Sequence, residues 1–536
     1  MGPATRLALT WLLVAAIVVP SRADLPVDCR HEGVIGEWTF QLSPLSASED
    51  AKFSLCGVPF LGPHYLSELV PATVDGVRAL FGGSASVNMN SLNVGLLEPN
   101  IAVNRANGEK GTWTMIYNEG LQVTLGGQRH FAFFAFVKDS ESGKVTSHCS
   151  LTYPGWVRRD QGTDDPDWGC FRAEKKAEHS GGIAPLAQKT QKELKSEVVE
   201  GCGSYKTSDS CISPSVPDSC RWCRSGAVPS ACYSVKHAEA LPASIFRCSP
   251  AARHPHPSSA ISLLQKRQTV DLHPPPQDVN QTIVLHPLRT TTLAEQHISI
   301  PSFDWRNVNR TNWLSASRVQ GMCGSCFALS VLEMAESRMR IASRGHTRVV
   351  LSLDDVLQCS RTNQGCAGGY PMLVGLYAAD FGLPEDMCFG TGAMSRSHGL
   401  PASCASRCFA DSRVHKFSHA HYIGGYYGAA TEQNMMAELL AHGPIVASFK
   451  AGIQFTAYEK GVIRGKPKSR PMYFEETNHS VLVLGWGVTR SGIKYWICRN
   501  TWGDSWGEKY IDGTGGYFRI EKGVDAFGFE SMSMAL

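Results

Sequence analysis

The sequence predicts a secreted α+β protein of several domains, and three observations carry that expectation. Strand-like runs fill the first third, six closely spaced cysteines mark a compact middle segment, and residues from 299 onward pass from a helical half to a strand-rich half. A chain of 536 residues exceeds one ordinary core. A hydrophobic content of 43% and a charged content of 18% are those of folded globular domains. The net charge of +3, with no basic block, argues against a nucleic-acid partner.

Residues 1–23 have the pattern of a secretory signal peptide. Arg6 gives the positive start, Leu7 to Val19 the apolar stretch, and Ser21 and Ala23 the small residues before the cleavage point. The apolar stretch is shorter than the about 20 residues that span a bilayer, and no later run approaches that length, so no membrane span is expected. Cleavage after Ala23 would leave Asp24 as the first residue.

Residues 24–172 read as a β-rich domain. "EWTFQL", "TWTMIYN", "LQVTLG" and "RHFAFFAFV" alternate or run apolar between Gly and Asn turns, which an antiparallel sandwich or barrel would satisfy. Residues 173–298 form a linker region around the Cys-rich segment 202–248. The first stretch, 173–201, is Lys/Glu-rich and reads as a linker or exposed helix. The stretch 249–298 is rich in Pro, His and Ser and reads as extended. Its Lys266-Arg267 pair is a candidate cleavage point, although exposed dibasic pairs are commonly just solvated. Residues 299–536 open on a helix, "GSCFALSVLEMAESRMRIAS", and close on the strand-like runs "GPIVASFK", "NHSVLVLGWG", "KYWICRNTWG" and "GYFRIEKG".

Eighteen cysteines in a secreted chain imply disulfides. They fall in even blocks of four, six and eight, which points to self-contained frameworks with any free thiol in the last block. A zinc site in the middle block competes with disulfides, but the spacing and the compartment favour disulfides. His254 and His256 in the Pro-rich stretch are read as ordinary linker residues, and no metal or organic cofactor is expected.

Three stretches carry chemistry. In "QGMCGSCFALS", Cys326 stands in the first turn of the predicted helix, where unpaired N–H groups and the helix dipole favour a thiolate. Gln320 could aim an amide N–H at a developing oxyanion beside the backbone N–H of Cys326. Taken alone, Cys323 and Cys326 would be two more disulfide cysteines. "ETNHSVLVLGWG" places His479 at the start of an apolar strand, and "YWICRNTWGDSWG" offers Asn500 to fix the imidazole tautomer and Trp502 to shield that bond. Cys, His and Asn in these settings are what a thiolate–imidazolium nucleophile needs.

These blocks, together with "GCAGG", occur in order and make residues 299–536 resemble the papain-like cysteine protease family. The resemblance implies a two-lobed protease domain with Cys326 as nucleophile, His479 as general acid and base, Asn500 as orienting residue and Gln320 as oxyanion donor. It also implies that Gly368 and Gly369 line the substrate groove. "GYPMLVGLYAADFGLPEDMCF", "HYIGGYYG" and "FESMSMAL", with "DLPVDC", "GEWTFQL", "GWV" and "DWGCF" at the start, are similar to the dipeptide-releasing branch of that family. That branch carries an N-terminal β-barrel exclusion domain, assembles as a homotetramer and binds chloride.

On that resemblance the pairings are Cys29–Cys149, Cys56–Cys170, Cys323–Cys366, Cys359–Cys404 and Cys388–Cys408, with Cys326 free, Cys498 a buried thiol and the six middle cysteines paired among themselves. Asp24 would supply the carboxylate that anchors a substrate's ammonium group. Tyr370 and Tyr422 fit the chloride neighbourhood, but Met372 stands where the family has a further Tyr, which puts the ion in doubt. Phe529 would make the S2 pocket apolar. Phe327 and Thr501 are departures that keep an aromatic ring and a hydroxyl, and "KYIDGT" is an extra surface loop. The Cys-rich segment resembles small plexin–semaphorin–integrin modules, with a spacer, a pro-region chaperone and an adhesion module as its open readings. Asn280 and Asn309 stand in glycosylation sequons. The sequon at Asn478 is set aside because it adjoins His479.

The expected activity is dipeptide release from free N-termini of peptides and proteins, in the lysosome, vacuole or secreted space. An endopeptidase with a long removable propeptide and a non-catalytic secreted scaffold are the alternatives.

Overall fold

The computed structural model describes residues 25, 27–48, 51, 54, 56–58, 70–81, 89–159, 166–176, 201–212, 220–249, 300–386, 414–417, 420–465 and 477–536. The leader, Asp24, Lys266-Arg267, His254, His256, Asn280, Cys388, Cys404 and Cys408 lie outside them.

The first domain is a closed barrel. Its strands are β1 (Gly36–Leu42), β2 (Asn90–Leu97), β3 (Ile101–Asn104), β4 (Lys110–Ile116), β5 (Gly120–Leu125), β6 (Gln128–Lys138), β7 (Val145–Thr152), β8 (Gly155–Arg159) and β9 (Asp167–Lys175). β6 pairs with β8, and β9 returns to pair with β1, so eight strands close the ring while β7 lies against β6 and β9. Closure leaves no open edge, and alternate residues such as Trp38, Phe40 and Leu42 turn into the core. Disulfides Cys29–Cys149 and Cys56–Cys170 fasten the segments outside the ring, as expected. The domain runs past residue 172. Ala173 is fully buried opposite Phe40, and only the outward Glu174 and Lys175 give the stretch its linker-like polarity.

His130 lies inside this barrel, between the rings of Phe40 (5.5 Å) and Phe171 (5.2 Å), with Nδ1 3.3 Å from the Val123 carbonyl. Burial pushes its pKa down to about 4.

The Cys-rich segment is a small folded module. Its strands β10 (Cys220–Ser225), β11 (Ala231–Ser234) and β12 (Phe246–Cys248) form an antiparallel sheet with β10 in the centre. The six cysteines pair within it, as Cys202–Cys220, Cys211–Cys232 and Cys223–Cys248.

The last domain has two lobes. The helix Cys326–Ala342 is buried continuously from Cys326 to Met339, because helices pack on one side and an antiparallel sheet on the other. Helices Leu353–Cys359 and Pro371–Phe381 complete the helical lobe. The sheet is built on Ile445–Phe449, His479–Val488, Lys494–Arg499 and Tyr517–Glu521, the four runs anticipated from sequence. Among the described residues no helix is long and apolar enough to cross a membrane.

The barrel seats on the helical lobe through Arg361. This guanidinium lies over the rings of Trp168 (4.7 Å), Phe381 (5.4 Å) and Trp156 (5.5 Å), and it donates to the Ser54 carbonyl at 3.2 Å. Asp380 beside it pairs with Arg129 and Arg158 of the barrel. A second contact joins the Tyr117 hydroxyl to Ser448 Oγ at 2.9 Å.

The buried imidazole gives a pH prediction. Between pH 6.5 and 4 the unfolded chain binds a proton at His130 that the folded barrel excludes, so stability falls as pH falls through that window, by up to about 3 kcal/mol. Thermal unfolding of a His130→Phe variant should show a flatter pH dependence there than the parent chain. An equal slope would remove His130 as the cause.

Candidate active site

Cys326 is the first residue of its helix, and its N-cap Ser325 makes no side-chain cap bond, so the thiol stands at the positive end of the helix dipole, which favours negative charge. It is buried to 7% exposure and stands outside the disulfide framework, as does the buried Cys498. Burial pushes the Cys498 thiol well above its usual value. Cys323 bonds Cys366 as anticipated, and Cys359 is also in a disulfide. The remaining two expected pairings involve residues outside those described.

His479 begins its strand and lines one cavity with Cys326, Gly324, Gly368, Gly369, Tyr370 and Tyr117. Its Nε2 lies 2.7 Å from Asn500 Oδ1. A carbonyl oxygen can only accept, so the proton sits on Nε2 and Nδ1 keeps a lone pair; Nδ1 has no hydrogen-bond partner among the described residues. Trp502 covers this bond, its ring centroid 5.2 Å from that of His479. Complete burial lowers the His479 pKa to about 4, against a smaller opposing effect of the Asn500 bond.

Gln320 is held from both ends. Its Oε1 accepts from Thr501 Oγ1 at 2.7 Å and from Trp502 Nε1 at 3.1 Å, while its Nε2 donates to the Cys323 carbonyl at 2.9 Å. The amide nitrogen has a second N–H to offer a substrate oxygen. Thr501 therefore keeps the hydroxyl that orients the donor, and its extra methyl is accommodated.

One buried carboxylate ties these elements together. Glu333, fully buried, accepts from Arg499 at 2.7 and 3.0 Å and from the Arg318 backbone N–H at 3.0 Å. It thus joins the helix of Cys326 to the strand end before Asn500 and to the segment before Gln320.

Gly368 and Gly369 line the catalytic cavity, and both are required by the protein's own packing. Gly368 has a φ of 132°, and a Cβ on Gly369 would stand 2.4 Å from Asn363 Oδ1 and 2.5 Å from the Phe327 ring. Phe529 lies fully buried against Phe449, with 5.5 Å between ring centroids. Asn309 stands exposed in a turn with φ of 53°. "KYIDGT" is a surface hairpin loop, with Ile511 92% exposed and Tyr510 stacked under Arg306 at 4.0 Å.

Two further residues carry no signal in the sequence. Glu119, in the turn between β4 and β5, is buried, and its carboxylate accepts from the Tyr370 hydroxyl and, at 3.3 Å, from the Leu25 backbone N–H. Leu25 also donates to the Tyr370 oxygen at 3.2 Å. Tyr117 packs on Tyr370 at 5.4 Å and lines the catalytic cavity. Nothing in "YNEGL" separates Glu119 from an ordinary turn carboxylate, because its partners lie far off in sequence. The same bond bears on chloride. The Tyr370 hydroxyl is committed to a carboxylate and Met372 is buried without a donor, while the Tyr422 hydroxyl, enclosed in a tyrosine cluster, has no hydrogen-bond partner among the described residues.

Fold and site together define a thiol peptidase whose Cys, His and Asn come from the two faces of a cleft. Residues 300–536 match the papain family cysteine proteases, and residues 24–175 match the cathepsin C exclusion domain. The chain is 33% identical over 225 residues to cathepsin Z of Onchocerca volvulus, covering 41% of this chain and 69% of that one. It is 32% identical over 250 residues to a cathepsin B-like proteinase of Caenorhabditis elegans, covering 41% and 71%. It belongs to the papain family of cysteine proteases. Within that family its resemblance to cathepsin C runs the whole length: it is 26% identical over 539 residues to cathepsin C of Schistosoma mansoni, spanning 98% of this chain and 97% of that one.

Two outcomes follow from this geometry. Glu333→Gln should lose about 3–5 kcal/mol in denaturant unfolding, because Arg499 would be left buried without its counter-charge. Thr501→Val should lower kcat about tenfold with little change in KM, since it frees the Gln320 amide to turn, and Thr501→Ser should restore the rate. A Val variant at full rate would remove Thr501 from the orientation of the donor.

Proposed function

We propose that this cysteine peptidase releases dipeptides from free N-termini. The observation that carries the reading is the position of Leu25. Its N–H is held by Glu119 and Tyr370, and Tyr370 belongs to the wall of the cavity that contains Cys326 and His479. Chain connectivity keeps the preceding Cα within about 3.8 Å of that of Leu25. A mature chain beginning at Asp24 would therefore bring a carboxylate to the edge of the groove, where it can meet a substrate ammonium group. The barrel would close the groove behind it, leaving room for two residues before the scissile bond.

In the reaction, Cys326 attacks the carbonyl after the second substrate residue, and the oxyanion is held by Gln320 and the Cys326 N–H. The His479 imidazolium protonates the departing amine, and water then cleaves the thioester. Asp24, Glu119 and Tyr370 act on specificity and not on bond making. The resemblance to cathepsin C and the signal-like pattern of residues 1–23 support work in a lysosomal, vacuolar or secreted setting, as a homotetramer in that family's manner.

The test compares dipeptidyl substrates with free and N-acetylated amines on the processed protein. Cleavage confined to the free amine is expected, and equal cleavage of both would leave an endopeptidase. Asp24→Ala and Glu119→Gln should each raise KM for the free-amine substrate at least tenfold while leaving the alkylation rate of Cys326 unchanged. Unaltered KM in both variants would overturn the anchor.

A further inference from the structure

The Cys-rich module does not stand apart from the protease. The tip of its β10–β11 hairpin, residues 226–230, reaches the chain segment just before the nucleophile. A Cβ placed on Gly226 would fall 1.7 Å from the Met322 carbonyl oxygen, and one on Gly324 would fall 3.0 Å from the Gly226 oxygen. Backbone therefore lies on backbone, at the stretch that joins Gln320 to Cys326. On the far side of Gln320, Phe246 of β12 sets its ring edge-on to Trp502, with centroids 5.5 Å apart at 88°. The Tyr233 hydroxyl bonds Thr456 beside the same aromatic cluster. Ala227 and Val228 are buried at 2% and 6% exposure, and Phe246 at 4%.

These contacts straddle the oxyanion side of the site. Gly324 lines the catalytic cavity, and Trp502 covers the His479–Asn500 bond. A spacer or adhesion module would have no reason to match both surfaces at once. The hairpin tip is also braced from within. Ala227 N–H donates to Ser225 Oγ at 3.0 Å, Ser225 N–H to Ser230 Oγ at 3.3 Å, and Cys223 and Cys232 on either side are fixed by disulfides.

The geometry points to a built-in, disulfide-braced inhibitor: residues 201–249 are a ligand for the catalytic cleft of their own chain, with Gly226 on Met322–Gly324 and Phe246 on Trp502. The surface recognised is the one a peptide substrate must cross, so docking and substrate access exclude each other. Because three internal disulfides hold the module's shape, cutting the flanking linkers does not by itself release it. The inference rests on the thiol-peptidase site alone and not on dipeptide specificity.

Gly226 offers a selective test. Its φ lies outside the left-handed region, so alanine is compatible with the module's own fold and is forbidden only by the Met322 carbonyl in the docked state. The readout is the alkylation rate of Cys326 by iodoacetamide in the unprocessed full chain, followed by peptide mapping that separates Cys326 from Cys498. Gly226→Ala should alkylate at least tenfold faster than the parent, with all three module disulfides intact in the map. Phe246→Ala should do the same by losing the Trp502 contact, and it serves if the first variant misfolds. Parent chain cut in the linkers should keep its slow rate while the module co-elutes on gel filtration. Equal rates in parent and both variants would overturn the proposal, as would a fast rate in cut chain that still carries the module. Dipeptide preference is not read in any arm, so its failure would leave this result standing.

Discussion

The carboxylate of Glu333 is the point on which the catalytic arrangement depends. It sits seven residues along the helix that Cys326 begins, and it holds Arg499 from the sheet lobe and the backbone of Arg318 from the entering segment. Asn500 is the next residue after Arg499, and Gln320 lies two beyond Arg318. An ion pair in this position gains little net stability, because desolvation offsets most of its attraction. Its value is geometric. Three chain segments meet one fixed group, and the nucleophile, the orienting amide and the oxyanion donor take their relative positions from it.

Much of this is legible in the sequence because the chemistry is local. Cys326 stands at a predicted helix start, but it separates from a disulfide cysteine only when the blocks around His479 and Asn500 are set beside it. Period-two alternation makes the antiparallel strands legible but leaves sandwich and barrel open, and only the family resemblance points to the barrel. What escapes is set by contacts between distant segments. Glu119 looks like any turn residue until β4 and β5 bring it to Tyr370, 251 positions away. The end of the barrel's last strand looks like linker because only its outward side chains are charged. The module's contact with Trp502 has no sequence signature at all, since Phe246 and Gly226 are ordinary residues for a small disulfide fold.

The same cleft is approached from two sides by parts of its own chain. The barrel brings the residue after Asp24 to one end, through hydrogen bonds of Leu25 with Glu119 and Tyr370. The module covers the oxyanion side through backbone packing and an aromatic edge. The two contacts differ in kind. The first is polar and leaves the catalytic cavity beside it, as suits a feature that shapes specificity. The second lies against the segment leading into the nucleophile, as suits one that must leave before work begins.

The seat of the barrel on the protease has a further consequence. Among the described residues, each disulfide lies within one domain, and the junction is made by Arg361, Asp380 and the tyrosines around Tyr370. Once a cut separates the two polypeptides, their union obeys mass action. If the barrel confines cleavage to dipeptides, as proposed, selectivity then becomes a function of the protein's own concentration. Packed in a dense compartment, the barrel stays seated; diluted enough, the protease would lose its barrier and meet peptide chains along an open groove.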